Sequence, residues 1–332
     1  MTRIDGMGKI KWGIIGCGDV AEVKSGPAFQ NVPNSELVAV MRRNGHKARD
    51  FAQRHNVPQW FDKVNDIIDN SGINAVYIAT PPSTHLQYAM LALNAEKHVY
   101  LEKPMTMDSQ ESLQLVEAVR SCGRKLTVAH YRRKLPAFLK VKELLDAGSI
   151  GAIRLIDLQI LQPQKSDIIA TTEVNWRIDP AISGGGYFHD LAPHQIDLMC
   201  QFFGPYQSAK GISHCQNKAY NADDVVNGLI SFKNGVQFSG CWCFNVSEQD
   251  KRDQCVIYGS KGSISFSFYG EKISLKTNSN EQIFRFKNPP NIQQPMIRAT
   301  VDYFLDRAPN PCSVEEGFTV MELMDCFCFR GS

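Results

Sequence analysis

The pattern of apolar and polar positions along the first 130 residues alternates between short apolar runs and longer mixed segments. The apolar runs predict strands at residues 10–15, 36–41, 75–80, 99–101 and 126–129. The mixed segments predict helices at residues 20–31, 47–56, 84–94 and 109–121. Strands of this length that alternate with helices are typical of βαβ units and a parallel sheet. Because both faces of such a sheet are covered, its strands are apolar throughout.

This pattern changes after residue 129. It predicts helices at 136–147, 188–203, 293–306 and 314–328, and one long strand at 152–161. Between residues 209 and 285 it contains strand signals alone, separated by turn dipeptides such as Asn234-Gly235. Such a run favours an antiparallel meander. The sequence therefore predicts an α/β chain with two domains, residues 1–130 and residues 131–332.

The first predicted strand runs into a glycine turn and then into a helix. Gly16 would permit the tight turn, Gly18 would let a pyrophosphate approach the backbone, and Ala21 would let helix and strand pack closely. The phosphates would lie on the amides that open the helix, around Asp19 and Val20. This spacing predicts a dinucleotide-binding domain. The alternative is a glycine-rich turn that binds no ligand.

The end of the second strand indicates which dinucleotide is bound. An acidic residue there would accept hydrogen bonds from the adenosine ribose and favour NAD. The chain instead has Arg42, Arg43 and Asn44. A guanidinium suits a 2′-phosphate, and a second one can stack on adenine. We therefore expect both arginines to bind NADP(H) in preference to NAD(H). The alternative is a solvated basic pair at a helix start.

Composition limits the classes of protein that fit. The chain has 332 residues, with 36 basic and 34 acidic side chains and a net charge of +2. This balance argues against nucleic acid or an anionic membrane as the main partner. The polar N-terminus lacks a signal-peptide core, so we expect a cytoplasmic protein. The ten cysteines have no zinc-ribbon spacing. We expect no metal site and small, buried cysteines in a reducing compartment.

Several motifs occur in the order found in one enzyme family. They are residues 15–18, 79–85, 102–104 and 184–186, followed by Asp190 and His194. On these motifs the chain resembles the glucose-fructose oxidoreductase / inositol dehydrogenase / rhizopine catabolism protein (Gfo/Idh/MocA) family, over nearly its whole length. The resemblance implies an N-terminal Rossmann domain and a C-terminal α/β domain built on an open, mostly antiparallel sheet.

The resemblance also implies a catalytic set of Lys103, Asp190 and His194. Local chemistry agrees, because hydride transfer from an alcohol needs a proton acceptor and a positive group near the developing alkoxide. Asp190 and His194 are four apart on a predicted helix and share a face. Either Lys103 or His194 could exchange the proton, and the sequence leaves this choice open. Each residue also has an ordinary structural alternative: a solvated loop lysine, a helix N-terminal acid and a packed histidine.

Further site residues follow from the same resemblance. It implies that the loop of Thr80, Pro81 and His85 and the acid Glu102 lie beside the cofactor, together with Lys103. An aromatic wall and a forked donor commonly hold a sugar, and this makes Trp176 and Arg177 substrate candidates. Tyr131 could reach the substrate or the nicotinamide, and a solvated basic cluster is the alternative for the segment 131–133.

These observations favour an NADP(H)-dependent oxidoreductase that acts on a small sugar or polyol. The alternatives are a cofactor-binding sensor without turnover and a cofactor-assisted lyase or hydrolase. Segment 224–244 has apolar residues at both odd and even positions, which indicates a sheet face that needs a partner. Members of the resembled family usually dimerise or tetramerise through that sheet, so the resemblance implies a homodimer or homotetramer. We also expect Arg42, Arg43, Lys103 and Arg177 to form a local positive site that the net charge conceals.

Overall fold

A computed structural model describes residues 8–18, 20–169, 175–218 and 220–328. Asp19, which we expected to contact phosphate, lies outside the described residues. The described parts of Met1–Tyr131 and Pro289–Phe318 form one unit, and those of Arg132–Asn288 and Thr319–Ser332 form the other. The chain therefore divides one residue beyond the expected boundary. Segment Pro289–Phe318, which we expected in the second domain, groups with the first unit.

The first unit is built on a six-stranded, wholly parallel sheet. Its strands are β1 (Ile10–Ile15), β2 (Ser35–Met41), β3 (Gln59–Phe61), β4 (Ala75–Ile78), β5 (His98–Leu101) and β6 (Leu126–Val128). They lie in the order β3-β2-β1-β4-β5-β6. This is the doubly wound order in which ligands bind at the carboxyl edge, where the strand order reverses beside β1. The parallel sheet is confirmed, whereas β3 was not predicted.

Helices connect these strands. They are a π-helical turn (Ala21–Ser25), α1 (Gly26–Asn31), α2 (Gly45–Arg54), α3 (Val64–Ile68), α4 (His85–Asn94) and α5 (Ser109–Cys122). The Asn44 side chain caps α2 by accepting from the Lys47 amide at 3.1 Å, and Asp108 caps α5 through the Glu111 amide at 2.8 Å. Gly123 ends α5 with φ 66°. Side-chain caps thus fix where these two helices begin.

An aromatic cluster forms the core of this unit. The Trp12 ring centroid lies 4.8 Å from that of Phe29 and 5.7 Å from that of Phe304. Tyr77 and Tyr100 stack at 5.2 Å on neighbouring strands. Phe304 belongs to a late helix, α9 (Gln294–Phe304), which explains why segment Pro289–Phe318 groups with the first unit.

The second unit is built on an eight-stranded sheet. Its strands are β7 (Ile153–Leu161), β8 (Tyr206–His214), β9 (Val225–Phe232), β10 (Gln237–Cys243), β11 (Arg252–Gly259), β12 (Gly262–Phe266), β13 (Lys272–Thr277) and β14 (Glu281–Arg285). They lie in the order β14-β13-β12-β11-β7-β10-β9-β8, and only the β7–β10 pair is parallel. The mostly antiparallel sheet is confirmed, but β7 is inserted between the two halves of the expected meander.

One face of this sheet is buried and the other is exposed. The helices of the unit are α6 (Pro136–Asp146), α7 (Pro180–Ser183), α8 (Gly186–Phe203) and the last part of α10 (Val314–Phe327), which begins in the first unit. Phe188 of α8 packs edge-on against Trp242 of β10 at 5.2 Å. The other face exposes 58 % of Leu229 and 73 % of Ile212.

Two further observations concern both units, over the residues that the structure describes. No disulfide joins the ten cysteines, of which four are buried and six are partly exposed, so burial holds for fewer of them than we expected. Among the residues that the structure describes, no helix has the length and apolar character needed to cross a bilayer.

Candidate active site

The glycine turn lies at the carboxyl edge of the parallel sheet. Gly16 has φ 95°, and a Cβ at this residue would come within 2.9 Å of the Ala79 carbonyl carbon and the Thr80 nitrogen. Its own amide donates to Met41 O at 2.9 Å. The turn is therefore wedged between the ends of β2 and β4. A Cβ at Gly18 would meet nothing within 4 Å, which leaves the space that an approaching pyrophosphate needs.

Arg42 and Arg43 follow β2 directly. Arg42 is half-buried and its amide donates to Phe61 O at 3.2 Å, while Arg43 is exposed. Burial raises the pKa of the Cys17 thiol to about 11, and the positive charge of Arg42 opposes this increase. The Arg42 guanidinium thus acts on a residue of the glycine turn itself. These residues, together with the open Gly18, fit a phosphate-bearing dinucleotide.

His85 and the loop before it join the ends of two strands. Thr84 Oγ1 lies within hydrogen-bonding distance of Thr80 Oγ1, at 2.8 Å, and of Pro81 O, at 3.1 Å. His85 is completely buried, with Nδ1 2.9 Å from Pro104 O and Nε2 2.8 Å from Thr80 O. The expectation that this histidine touches a cofactor does not fit, because both ring nitrogens already face protein carbonyl oxygens.

Glu102 is also turned into the protein. Its Oε1 accepts from Tyr77 OH at 2.5 Å and from Gln293 Nε2 at 2.6 Å. Its Oε2 accepts from the Lys103 amide at 3.2 Å. Only 6 % of Glu102 is exposed, so its carboxylate holds the backbone of Lys103 and offers little surface to a cofactor. Lys103 itself is half-buried, two residues beyond the end of β5.

In the second unit, glycines lead into α8. Ser183 Oγ accepts from the amides of Gly185 and Gly186, at 3.4 and 3.0 Å. Gly186 has φ 74°, and a Cβ there would lie 2.7 Å from Ala222 Cβ. Only glycine fits this close approach. A cavity of about 170 Å³ opens beside this turn. Its lining includes Gly185, His189, Cys215, Asn221 and Asp223.

Asp190 lies one turn into α8 and forms a buried ion pair. Arg177 Nε donates to Asp190 Oδ2 at 2.9 Å, with 4 % of the arginine side chain and 14 % of the aspartate side chain exposed. The guanidinium also lies over the Trp176 ring, 4.5 Å from its centroid. His194, one turn further along α8, is buried. The structure therefore brings Trp176, Arg177 and Asp190 together, with His194 on the same helix.

Segment 131–133 is buried, and it contains the expected substrate residue Tyr131 and one member of an ion pair. Tyr131 is only 3 % exposed and so presents little surface to a substrate. The Arg133 guanidinium donates to both carboxylate oxygens of Asp197, at 2.7 to 3.0 Å. The segment 131–133 is therefore not the solvated basic cluster of the alternative interpretation. Sequence patterns missed the Arg133–Asp197 pair and the Gln293 contact, because their partners are 64 and 191 residues apart.

Comparisons with known proteins agree with this architecture. Residues 10–130 match the oxidoreductase family with an NAD-binding Rossmann fold, and residues 138–265 match the GFO/IDH/MocA C-terminal domain. Oxidoreductase P35 of Formosa agariphila is 56% identical over 96% of this chain and 98% of that protein. Mouse trans-1,2-dihydrobenzene-1,2-diol dehydrogenase is 26% identical over 83% of this chain and 80% of that protein.

A solved structure supports the same assignment. The crystal structure of an oxidoreductase from Thermotoga maritima superimposes with a TM-score of 0.85 and 25% identity, over 97% of this chain and 96% of that one. The fold and the glycine turn thus define an oxidoreductase with an NAD-binding Rossmann domain. The chain belongs to the Gfo/Idh/MocA family.

Proposed function

We propose that this protein is an NADP(H)-dependent oxidoreductase that acts on a hydroxyl or keto group of a sugar or polyol. The main supporting observation is the shared sheet edge. The glycine turn after β1, the loop after β4 and Lys103 after β5 all follow the carboxyl ends of neighbouring parallel strands. Ligands of doubly wound sheets bind at that edge. Lys103 is thus on the side of the sheet where the dinucleotide is expected.

The proposed chemistry divides the work among three side chains. A bound nicotinamide would supply or accept the hydride. In one arrangement Lys103 would hold the reacting oxygen through its ammonium group while neutral His194 takes the hydroxyl proton. In the other, Lys103 would be a neutral amine and would take that proton itself. Asp190 would orient His194 or share its proton, and it would also contact the substrate. In the reductive direction the proton would move the other way. Support for an alcohol substrate comes from the mouse relative, whose name is that of a diol dehydrogenase.

The choice of NADP(H) rests on the residues that end β2. Arg42 is half-buried and acts electrostatically on Cys17 of the glycine turn, and no acid occupies the segment 41–44. A 2′-phosphate would gain a charge-assisted, bidentate contact there. In NAD(H) the same place would carry a neutral hydroxyl and lose that contact.

We also propose a homodimer or homotetramer built on the open sheet. The outer face exposes large apolar side chains on five different strands. They are Leu155, Ile212, Leu229, Tyr258 and Ile283. Light scattering coupled to size exclusion tests this proposal. A monomer alone at micromolar concentration would contradict it.

Turnover and cofactor binding can be tested together. NADPH and NADH are titrated into the purified protein, and aldoses, polyols and keto sugars are then screened at the NADPH absorbance band.

Lys103→Met should remove turnover while the NADPH Kd stays within about twofold, since the lysine acts on the substrate oxygen. Lys63→Met, which changes an exposed lysine of the same unit, serves as the control. Full activity in Lys103→Met would refute the mechanism. Bound cofactor without turnover would favour a sensor, and turnover without net cofactor consumption would favour a lyase or hydrolase.

A further inference from the structure

The two residues that flank Lys103 are both held by buried side chains. On one side, the Glu102 carboxylate accepts from the Lys103 amide at 3.2 Å and is itself fixed by Tyr77 and Gln293. On the other side, the carbonyl oxygen of Pro104 lies 2.9 Å from Nδ1 of His85. Side-chain contacts therefore hold the backbone on both sides of Lys103, whereas a loop residue beyond a strand end is usually more mobile.

His85 makes the contact on the Pro104 side of Lys103. It is the first residue of α4, and none of its surface is exposed. Its Nε2 lies 2.8 Å from the carbonyl oxygen of Thr80, two residues after β4. A single imidazole thus ties the loop after β4 to the loop after β5, which carries Lys103. The first of these loops also touches the glycine turn, because Gly16 is wedged against Thr80.

We propose that His85 is a positioning residue that sets the placement of Lys103 by tying the two loops together. This role rests on the proposed function, in which Lys103 contacts the reacting oxygen. Small displacements of a catalytic group are costly, and a misplacement of ~1 Å reduces rates by about a hundredfold. The contacts that His85 makes with the two loops therefore affect kcat through the position of Lys103.

The chemistry of the ring decides which substitution is informative. Burial lowers the pKa of His85, whereas its carbonyl partners and the Glu102 charge oppose that effect. Both contacts to carbonyl oxygens are hydrogen bonds when each ring nitrogen carries a proton, because a neutral imidazole donates only one. His85→Gln keeps a donor and a similar reach but cannot span both carbonyl oxygens with a flat, rigid ring. It therefore loosens the tie without emptying the site.

His98 provides a matched control at the first residue of β5. It is also a buried histidine of the first unit, and it starts β5, the strand that ends just before Lys103. Its Nδ1 accepts from the Lys125 amide at 3.1 Å. His98→Gln therefore carries the same chemical change and a comparable loss of packing, at the opposite end of the same strand.

The experiment compares wild type, His85→Gln and His98→Gln in NADPH Kd, kcat, KM and Tm. We expect His85→Gln to lower kcat at least tenfold with the NADPH Kd within about twofold, and His98→Gln to change neither by more than about twofold. A kcat for His85→Gln equal to that of the control overturns the proposal. An NADPH Kd that rises as much as kcat/KM falls also overturns it, because His85 would then act on the cofactor. If His85→Gln does not fold, His85→Asn takes its place.

Amide hydrogen exchange provides a readout that does not depend on turnover. We expect the peptide that contains Lys103 to exchange at least tenfold faster in His85→Gln than in wild type, and at the wild-type rate in His98→Gln. Equal rates in all three proteins overturn the proposal. If the wild type turns over no substrate in the panel, the proposed reaction fails. The exchange rates then still decide whether His85 positions the Lys103 loop.

Discussion

The ion pair between Arg177 and Asp190 allows a quantitative prediction about the second unit. Its charged atoms lie 2.9 Å apart, with 4 % and 14 % of the two side chains exposed. Removing one partner of a buried pair costs about 3–5 kcal/mol, because the other charge stays buried without compensation. Arg177→Met should therefore reduce the free energy of unfolding by ~3 kcal/mol or more. Loss of the stacking over Trp176 adds about 1 kcal/mol.

A double-mutant cycle separates the ion pair from the other losses. Arg177→Met/Asp190→Asn removes both charges of the pair. The double variant should therefore lose less free energy of unfolding than the two single variants lose in sum. We expect a coupling energy of roughly 2–3 kcal/mol from urea unfolding of the four proteins at pH 7. The exposed pair Lys251–Asp167, at 2.6 Å, serves as the control and should give no measurable coupling. A coupling energy below about 1 kcal/mol for Arg177 and Asp190 would refute the reasoning.

Three further predictions concern the first unit. Arg42→Ala should weaken NADPH binding about tenfold or more and leave NADH binding within about twofold. Arg49→Ala, which changes an exposed residue of α2, is the control and should affect the binding of neither cofactor. Equal losses of affinity for both cofactors would contradict this prediction. Burial lowers the pKa of His98 to about 4, so the unfolded chain binds a proton between pH 6.5 and 4 that the native protein does not. Stability that is present above pH 6.5 should therefore fall by about 3 kcal/mol as the pH drops to 4, and urea unfolding of His98→Gln should lack that part of the slope. Gly16→Ala should lower Tm by several degrees because of its positive φ and 2.9 Å contacts, while Gly18→Ala should fold normally and raise the NADPH Kd.

Most of the fold follows from local patterns in the sequence. The strands of the parallel sheet are continuous apolar runs, and their separation by helices implies their direction. The three-residue strand β3 has no such run, because two of its residues are exposed and the third is half-buried. The insertion of β7 between β10 and β11 pairs residues that are 82 positions apart with β10, such as Leu155 and Gln237, and 91 to 106 positions apart with β11, from Leu161–Arg252 to Ile153–Gly259. No local pattern encodes that pairing, so the antiparallel segment was expected to form a continuous meander.

The sequence indicates which polar residues lie at strand ends, but it does not indicate where their side chains turn. Polar residues at strand ends, such as His85 and Glu102, have the sequence signature of ligand contacts. The structure gives them internal partners, because burial and long-range contacts decide where a polar side chain turns. Tyr77 and Gln293 lie 25 and 191 residues from Glu102. Their effect on Lys103 becomes visible only after the chain has folded.

The distribution of positive charge also differs from the expectation. Four cations were expected to form one local positive site, but Arg177 is neutralised by Asp190 through a 2.9 Å contact. The expected charge then remains with Arg42, Arg43 and Lys103 of the first unit. A phosphate-bearing cofactor suits that unit, since guanidinium and ammonium groups form charge-assisted hydrogen bonds with phosphate. In the second unit, a neutral ion pair beside an indole ring suits an uncharged, hydroxylated ligand, because an anionic substrate would have to compete with Asp190 for the same guanidinium. This balance supports a neutral sugar or polyol as the substrate.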